Sequence, residues 1–221
     1  MKLIGKVIDF LGDSITKGTG ASENQYKYVN QVEAKTGAIC RSYGVGGTRI
    51  ALQPEGFKSE NPNWDYDFLS RAKTMQEADI IVVFGGTNDF GHGNAPLGTM
   101  EDRTQYTFYG ALHCLYIYLI EHFPKAQIIV ITPLHRTNEN NPIGEGGTRK
   151  TVVTGTLKEY VKAVKEVAEY YSLPVLDLYA ISGIQPEIQV NRELYMPDGI
   201  HPSDLGHGII ADRLTSFLKG L

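Results

Sequence analysis

The sequence predicts an α/β fold, a three-layer α/β/α sandwich around a parallel sheet. Apolar β-rich runs alternate with helix-period segments along the chain, and the strand runs are continuously apolar, as strands covered on both faces are. Stretches rich in Gly, Pro and Asn at 44–65, 90–104 and 133–149 each follow a predicted strand, which puts three loops at one end of the sheet.

The elements follow in order. A strand over Leu3 to Leu11 precedes a helix over Tyr26 to Thr36, a strand over Ile39 to Tyr43, a helix over Tyr66 to Met75 and a strand over Ile80 to Phe84. The alternation continues with a helix over Tyr106 to Phe123, a strand over Ile128 to Thr132, a helix over Thr156 to Tyr171 and a strand over Val175 to Leu178. A closing helix runs from about Ser203 to Leu218. The clearest helical pattern puts Leu157, Tyr160, Val161, Val164, Ala168 and Tyr171 on one face and leaves Lys158, Glu159, Lys162, Lys165 and Glu169 for water.

Length and composition narrow the function. At 221 residues, 42% hydrophobic and 21% charged, the chain suits one soluble domain spanning 1–221, with no repeat, low-complexity tract or linker. The net charge of -4 comes from 21 basic and 25 acidic residues mixed along the sequence, so no basic stripe invites nucleic acid. No segment has the roughly 18 apolar residues needed to span a bilayer, which excludes integral membrane association. Lys6 and Asp9 interrupt the apolar N-terminus, so it reads as a strand of the mature protein rather than a signal, and a cytoplasmic location is expected. Cys40 and Cys114 read as two small hydrophobes. Oligomeric state has no sequence signal.

The strand ends carry the chemistry, because ligands of open α/β sheets bind outside the carboxyl ends of the strands. The first strand delivers Gly12-Asp13-Ser14, which puts a serine where a nucleophile would stand; taken alone, the tripeptide is equally a turn and helix cap. The second ends Gly44-Val45-Gly46-Gly47-Thr48, where a main-chain N–H can approach a ligand closely. A dinucleotide loop is the weaker reading there, since G-x-G-x-x-G would need glycine where Arg49 stands. The third ends Gly85-Gly86-Thr87-Asn88-Asp89, and the Asn88 amide could donate to an oxyanion or close an Asx-turn. Near the C-terminus, Asp198-Gly199-Ile200-His201 can bring a carboxylate to an imidazole Nδ1–H, leaving Nε2 as a base; a lone His201 would read as a structural histidine.

These four segments, in this order, resemble the four blocks of the SGNH (GDSL-type) hydrolase family, and they span residues 12 to 201. The resemblance implies a flavodoxin-like sheet of five parallel strands in the order 2-1-3-4-5 and esterase or lipase chemistry without metal or organic cofactor. It implies Ser14 as nucleophile, His201 as base oriented by Asp198, and an oxyanion hole of the Ser14 and Gly47 N–H groups and the Asn88 side chain. Ser42 departs from the pattern, which often has Asn at that position. No G-x-S-x-G elbow is present, and the histidines His92, His113, His122, His135 and His207 are scattered rather than grouped as metal ligands.

The expected substrate is a small-molecule ester. Asp13, Arg49, Trp64, Phe90 and His135 are candidate substrate contacts, and Tyr66, His92, Arg136, Asn138, Asn140 and Asn141 share the same loops. Aromatics interleaved with amides and Arg suit a sugar-like alcohol, and no long apolar lid segment is present, so short-acyl and above all acetyl esters are expected. The alternatives are a lysophospholipase or thioesterase, or a non-catalytic flavodoxin-like module that binds a nucleotide or sugar.

Overall fold

The computed structural model describes residues 2–221. Its strands are β1 (Val7–Gly12), β2 (Ile39–Gly44), β3 (Ile80–Phe84), β4 (Gln127–Ile131) and β5 (Val175–Leu176). They form one parallel sheet in the order β2-β1-β3-β4-β5, the α/β arrangement the sequence predicts. Gly12 pairs in register with both Gly44 and Phe84, Phe84 pairs with Ile131, and Ile131 with Leu176, so all five carboxyl ends meet at one edge. The helices, in chain order, are α1 (Ser14–Lys17), α2 (Tyr28–Thr36), α3 (Phe68–Ala72), α4 (Thr87–Gly91), α5 (Phe108–His122), α6 (Leu157–Tyr170), α7 (Leu178–Ile181), α8 (Gln189–Tyr195) and α9 (Asp204–Gly220).

Strand alternation divides the core into two layers. Ile8, Phe10, Ile80, Val82, Phe84, Ile129 and Ile131 pack with residues of α2 and α9, among them Tyr28, Val32, Ile210 and Leu214. Leu11, Ile81, Val83, Ile128 and Val130 pack on the other face against Phe68 of α3, Leu112 and Leu115 of α5, and Tyr160, Val164 and Val167 of α6. Helix α6 turns the predicted apolar face inward, and the Glu159 carboxylate accepts from the Thr156 N–H at 2.7 Å to start it.

The departures from expectation lie at element ends. β1 begins at Val7 rather than Leu3 because Gly5 takes φ +74° and the Lys6 N–H closes a turn on Leu3 O at 3.0 Å. α3 begins at Phe68 rather than Tyr66 because Asp67 caps it, accepting from the Ser70 N–H at 3.0 Å, and it ends at Ala72, short of the predicted Met75. β5 stops at Leu176 because Asp177 caps α7, accepting from the Ala180 N–H at 3.2 Å. The short helices α1, α4, α7 and α8 have too few turns to leave a periodic signal. Among the described residues, no helix is long and apolar enough to cross a membrane.

Candidate active site

Helix α1 starts directly where β1 ends. A methyl group on Gly12 would lie 1.9 Å from Thr16 Oγ1 and 2.9 Å from Phe84 O, so only glycine allows the chain to turn here against both neighbours. Asp13 caps α1, its Oδ1 accepting from the Ile15 N–H at 2.9 Å, and Ser14 is the first helical residue. Beneath this turn, buried Arg71 donates to Gly12 O and Tyr43 O at 2.6 Å each and to Thr48 Oγ1 at 2.8 Å, tying the ends of β1 and β2 together. Burial lowers the Arg71 pKa to about 10 and raises that of Asp13 to about 6, against the stabilising Ile15 hydrogen bond and the nearby His201 and Arg71. Ser42, at the position where the resemblance often has Asn, accepts from the Gly44 N–H at 3.3 Å and donates to Thr16 O at 3.2 Å.

The loop before α9 completes a hydrogen-bonded chain. Asp198 Oδ1 accepts from the Ile200 N–H at 2.9 Å and the His201 N–H at 2.7 Å, curling the loop so that Oδ2 meets His201 Nδ1 at 2.7 Å. His201 Nε2 then stands 2.9 Å from Ser14 Oγ. Partial burial alone would raise the Asp198 pKa, but the bonds from His201 and Ile200 outweigh it and hold it down to about 2. A carboxylate accepting at Nδ1 leaves the ring proton there, and Nε2 is free to take one from a serine hydroxyl.

Ser14 and His201 open onto a cleft of about 280 Å³ that Gly47 and Asn88 also line. Asn88 spends one amide hydrogen on Thr48 O, at 3.0 Å, which orients the group at the cleft and leaves the second hydrogen available. Gly47 has φ +74°, and a methyl group there would fall 2.1 Å from Trp64 Nε1, so the indole lies directly on this glycine. Trp64 also stacks on His92, with ring centroids 4.2 Å apart. Arg49 Nη1 stands 3.1 Å from His92 Nδ1, and because a guanidinium can only donate, Nδ1 accepts and the imidazole proton sits on Nε2. Burial, then Arg49, push the His92 pKa down to about 3, so the ring is neutral. Glu145 and Arg149 meet at 2.6 Å at the mouth, where Arg149 also reaches Glu60 at 3.1 Å and lies over the Trp64 ring.

A model of the GDSL-like lipase/acylhydrolase family matches residues 10–209. The chain belongs to that family. As a member of it, the protein is a carboxylic ester hydrolase. No curated protein matches the chain. Among solved structures, one is 33% identical, covers 100% of this chain and 99% of its own, and superposes with a TM-score of 0.84. A protein from Lactobacillus plantarum is 28% identical over 98% of both chains, with a TM-score of 0.81. An acetyl xylan esterase shares the fold at 18% identity, covering 95% of this chain and 98% of its own, with a TM-score of 0.63.

In this GDSL-like hydrolase the cleft gathers Ser14, Gly47, Asn88, His201 and Trp64, with Asp198 directly behind His201. It does not gather the other four predicted substrate contacts. Asp13 is a buried helix cap, and Arg49 is spent behind the wall on His92, Ser59 at 2.6 Å and Asp65. Phe90 lies two residues beyond Asn88, on the opposite side of α4, and packs in the core against Tyr160. His135 turns away to Glu139, at 2.8 Å, and stacks on Tyr179. Thr19, Glu145, Arg149 and Ile200 also line the cleft, though the sequence gives no sign of it, and so does His92, expected only as a residue of the walling loops, which sits one helical turn beyond Asn88. That i, i+4 spacing is the one signal that could have raised His92 above the other loop residues. Among the described residues, no group of three or more His, Cys, Asp or Glu side chains is placed to hold a metal ion.

Proposed function

We propose that this hydrolase is a serine esterase that removes short acyl groups, acetyl foremost, from a neutral, carbohydrate-like alcohol through an acyl-Ser14 intermediate. The observation that carries it is the unbroken chain from Asp198 Oδ2 through His201 to Ser14 Oγ, at 2.7 and 2.9 Å. His201 Nε2 takes the Ser14 proton as Oγ attacks the ester carbonyl, and Asp198 stabilises the imidazolium that forms. The Ser14 and Gly47 N–H groups and the remaining Asn88 N–H receive the oxyanion. His201 returns its proton to the leaving alcohol, and water then releases the acid by the same route.

Two features support the substrate class. The cleft holds about 280 Å³, at the low end of the range for small-molecule sites. The guanidiniums in and behind its walls are already paired: Arg149, at the wall, with Glu145 and Glu60, and behind it Arg136 with Glu145 and Arg49 with Asp65. A phosphate-bearing alcohol, as in a lysophospholipid or a coenzyme A thioester, finds no unpaired arginine there, whereas a sugar can exchange hydrogen bonds with the Glu145–Arg149 rim. The fold shared with an acetyl xylan esterase points the same way.

The test is steady-state hydrolysis of p-nitrophenyl acetate, butyrate and octanoate beside acetylated xylo-oligosaccharides, with native enzyme and Ser14→Ala. Acetyl compounds should be cleaved best, and Ser14→Ala should lose about 10⁴-fold or more in kcat. A native preference for octanoate would sink the short-acyl reading. Full activity of the variant would sink the serine mechanism.

A further inference from the structure

The two sides of the cleft rise from opposite faces of the sheet. His201 comes from the segment between α8 and α9, on the layer that holds Met196 and Ile210. Trp64 and His92 come from segments next to α3 and α4, on the layer that holds Phe68 and Phe90. Ser14 lies between them, and Gly46, in the loop under Trp64, approaches its side chain: a methyl group on Gly46 would be 3.7 Å from Ser14 Cβ.

This arrangement orients the ester, given the serine mechanism proposed above. The tetrahedral carbon bonded to Ser14 Oγ carries three other groups. The oxyanion points to Gly47 and Asn88, and the leaving oxygen must stand where His201 Nε2 can protonate it. The acyl substituent is the group left over, and the side left to it is the one away from His201, where Trp64 is the largest apolar side chain lining the cleft.

We propose that Trp64 is the acyl-length gate of this enzyme, a specificity-determining residue whose ring ends the acyl pocket within a few atoms of the scissile carbon. Its position is fixed from two directions. The ring lies against Gly47, 2.1 Å from where a β-carbon would be, and it stacks on His92, whose orientation Arg49 sets through Nδ1. Arg49 reaches from His92 to Asp65, the residue next to Trp64, so one guanidinium braces both members of the stack. To swing aside for a longer chain the indole must give up its stack on His92, a ring that Arg49 holds in place.

The experiment compares kcat/KM for p-nitrophenyl octanoate and acetate in native enzyme, Trp64→Ala and Trp64→Phe. The octanoate-to-acetate ratio should rise about tenfold or more in Trp64→Ala, with Trp64→Phe between it and native, since pocket space worth one or more methylenes changes selectivity on that scale. Fluorophosphonate labelling of Ser14 establishes that each variant is folded, and Trp64→Phe carries the comparison if Trp64→Ala is not. An unchanged ratio in a variant that still labels overturns the gate. The readout is the change in ratio between variant and native. The native ratio alone tests the short-acyl reading, so the two ideas fail separately.

Discussion

Asp198 and His201 are three residues apart and meet at 2.7 Å, whereas Glu60 and Arg149, on the opposite side of the same cleft, are 89 residues apart and meet at 3.1 Å. The two sides are built by different means. The Ser14 and His201 side is backbone geometry: a strand end, a helix cap and a four-residue curl, each specified by neighbours in sequence. The Trp64 side is assembled from loops pinned to one another. Asp89 accepts from the Ile50 and Ala51 N–H groups at 3.0 and 2.9 Å, buried Lys150 donates to Asp89 O and Phe90 O at 2.8 and 2.6 Å, and the Gly93 N–H reaches Arg149 O at 2.6 Å. On the mechanism proposed above, the difference teaches that the bond-making residues sit on locally specified turns, while the side proposed to choose the acyl group is held by a long-range polar network that loop changes can rebuild.

Asn88 is the joint between the two sides, because α4 carries it one turn before His92. If Asn88 donates to the oxyanion as proposed, Asn88→Ala should lower kcat by about 10²-fold to 10³-fold, the usual cost of one such donor, while the octanoate-to-acetate ratio stays at its native value. Chain-length kinetics on the variant check this. A shifted ratio would mean that the two sides are not separable.

A smaller effect concerns the floor of the Ser14 side. Burial holds the Asp13 pKa at about 6, above its ordinary 3.8, so the folded protein binds this proton more tightly than the unfolded chain does. Its contribution to stability is full below the ordinary value and is lost as pH rises through about 6. Asn keeps the cap and cannot titrate. Asp13→Asn should therefore gain on the native protein between pH 4 and pH 7, by on the order of 1–3 kcal/mol, read from thermal or urea unfolding across that range. A difference that does not change with pH would show that Asp13 is better solvated than its burial implies.

The same division governs what the sequence discloses. Layering was legible because the central strands are apolar on both faces and the long helices carry a full period, whereas the strand order came only with the family resemblance. The Asp198-Gly199-Ile200-His201 spacing was legible because four residues suffice to make the contact. Arg49, Phe90 and His135 read as cleft residues only because they sit on the right loops; which way each side chain turns is decided by distant partners, Asp65 and His92, Tyr160, and Glu139 with Tyr179. Glu145 and Arg149 stayed hidden for the converse reason. Their loop is placed by the Glu145 N–H reaching Gly91 O at 2.8 Å and by Arg136, contacts with no trace in local pattern.

The mildest change sharpens the comparison most. Glu60 meets Arg149 and Thr148 at the exposed rim, with hydrogen bonds of 3.1 and 2.7 Å, and both members of its ion pair are open to solvent. Water and salt screen such a pair, so Glu60→Gln should leave folding essentially unchanged. Freed of one carboxylate, Arg149 stays paired with Glu145 but swings more widely over Trp64. The expected result is a rise of about two- to threefold in KM for an acetylated oligosaccharide at low salt, fading at high salt, with kcat for p-nitrophenyl acetate untouched. Steady-state kinetics at two ionic strengths measure both. A fall in kcat on the small ester would instead tie the rim to the bond-making side and erase the distinction between the two sides.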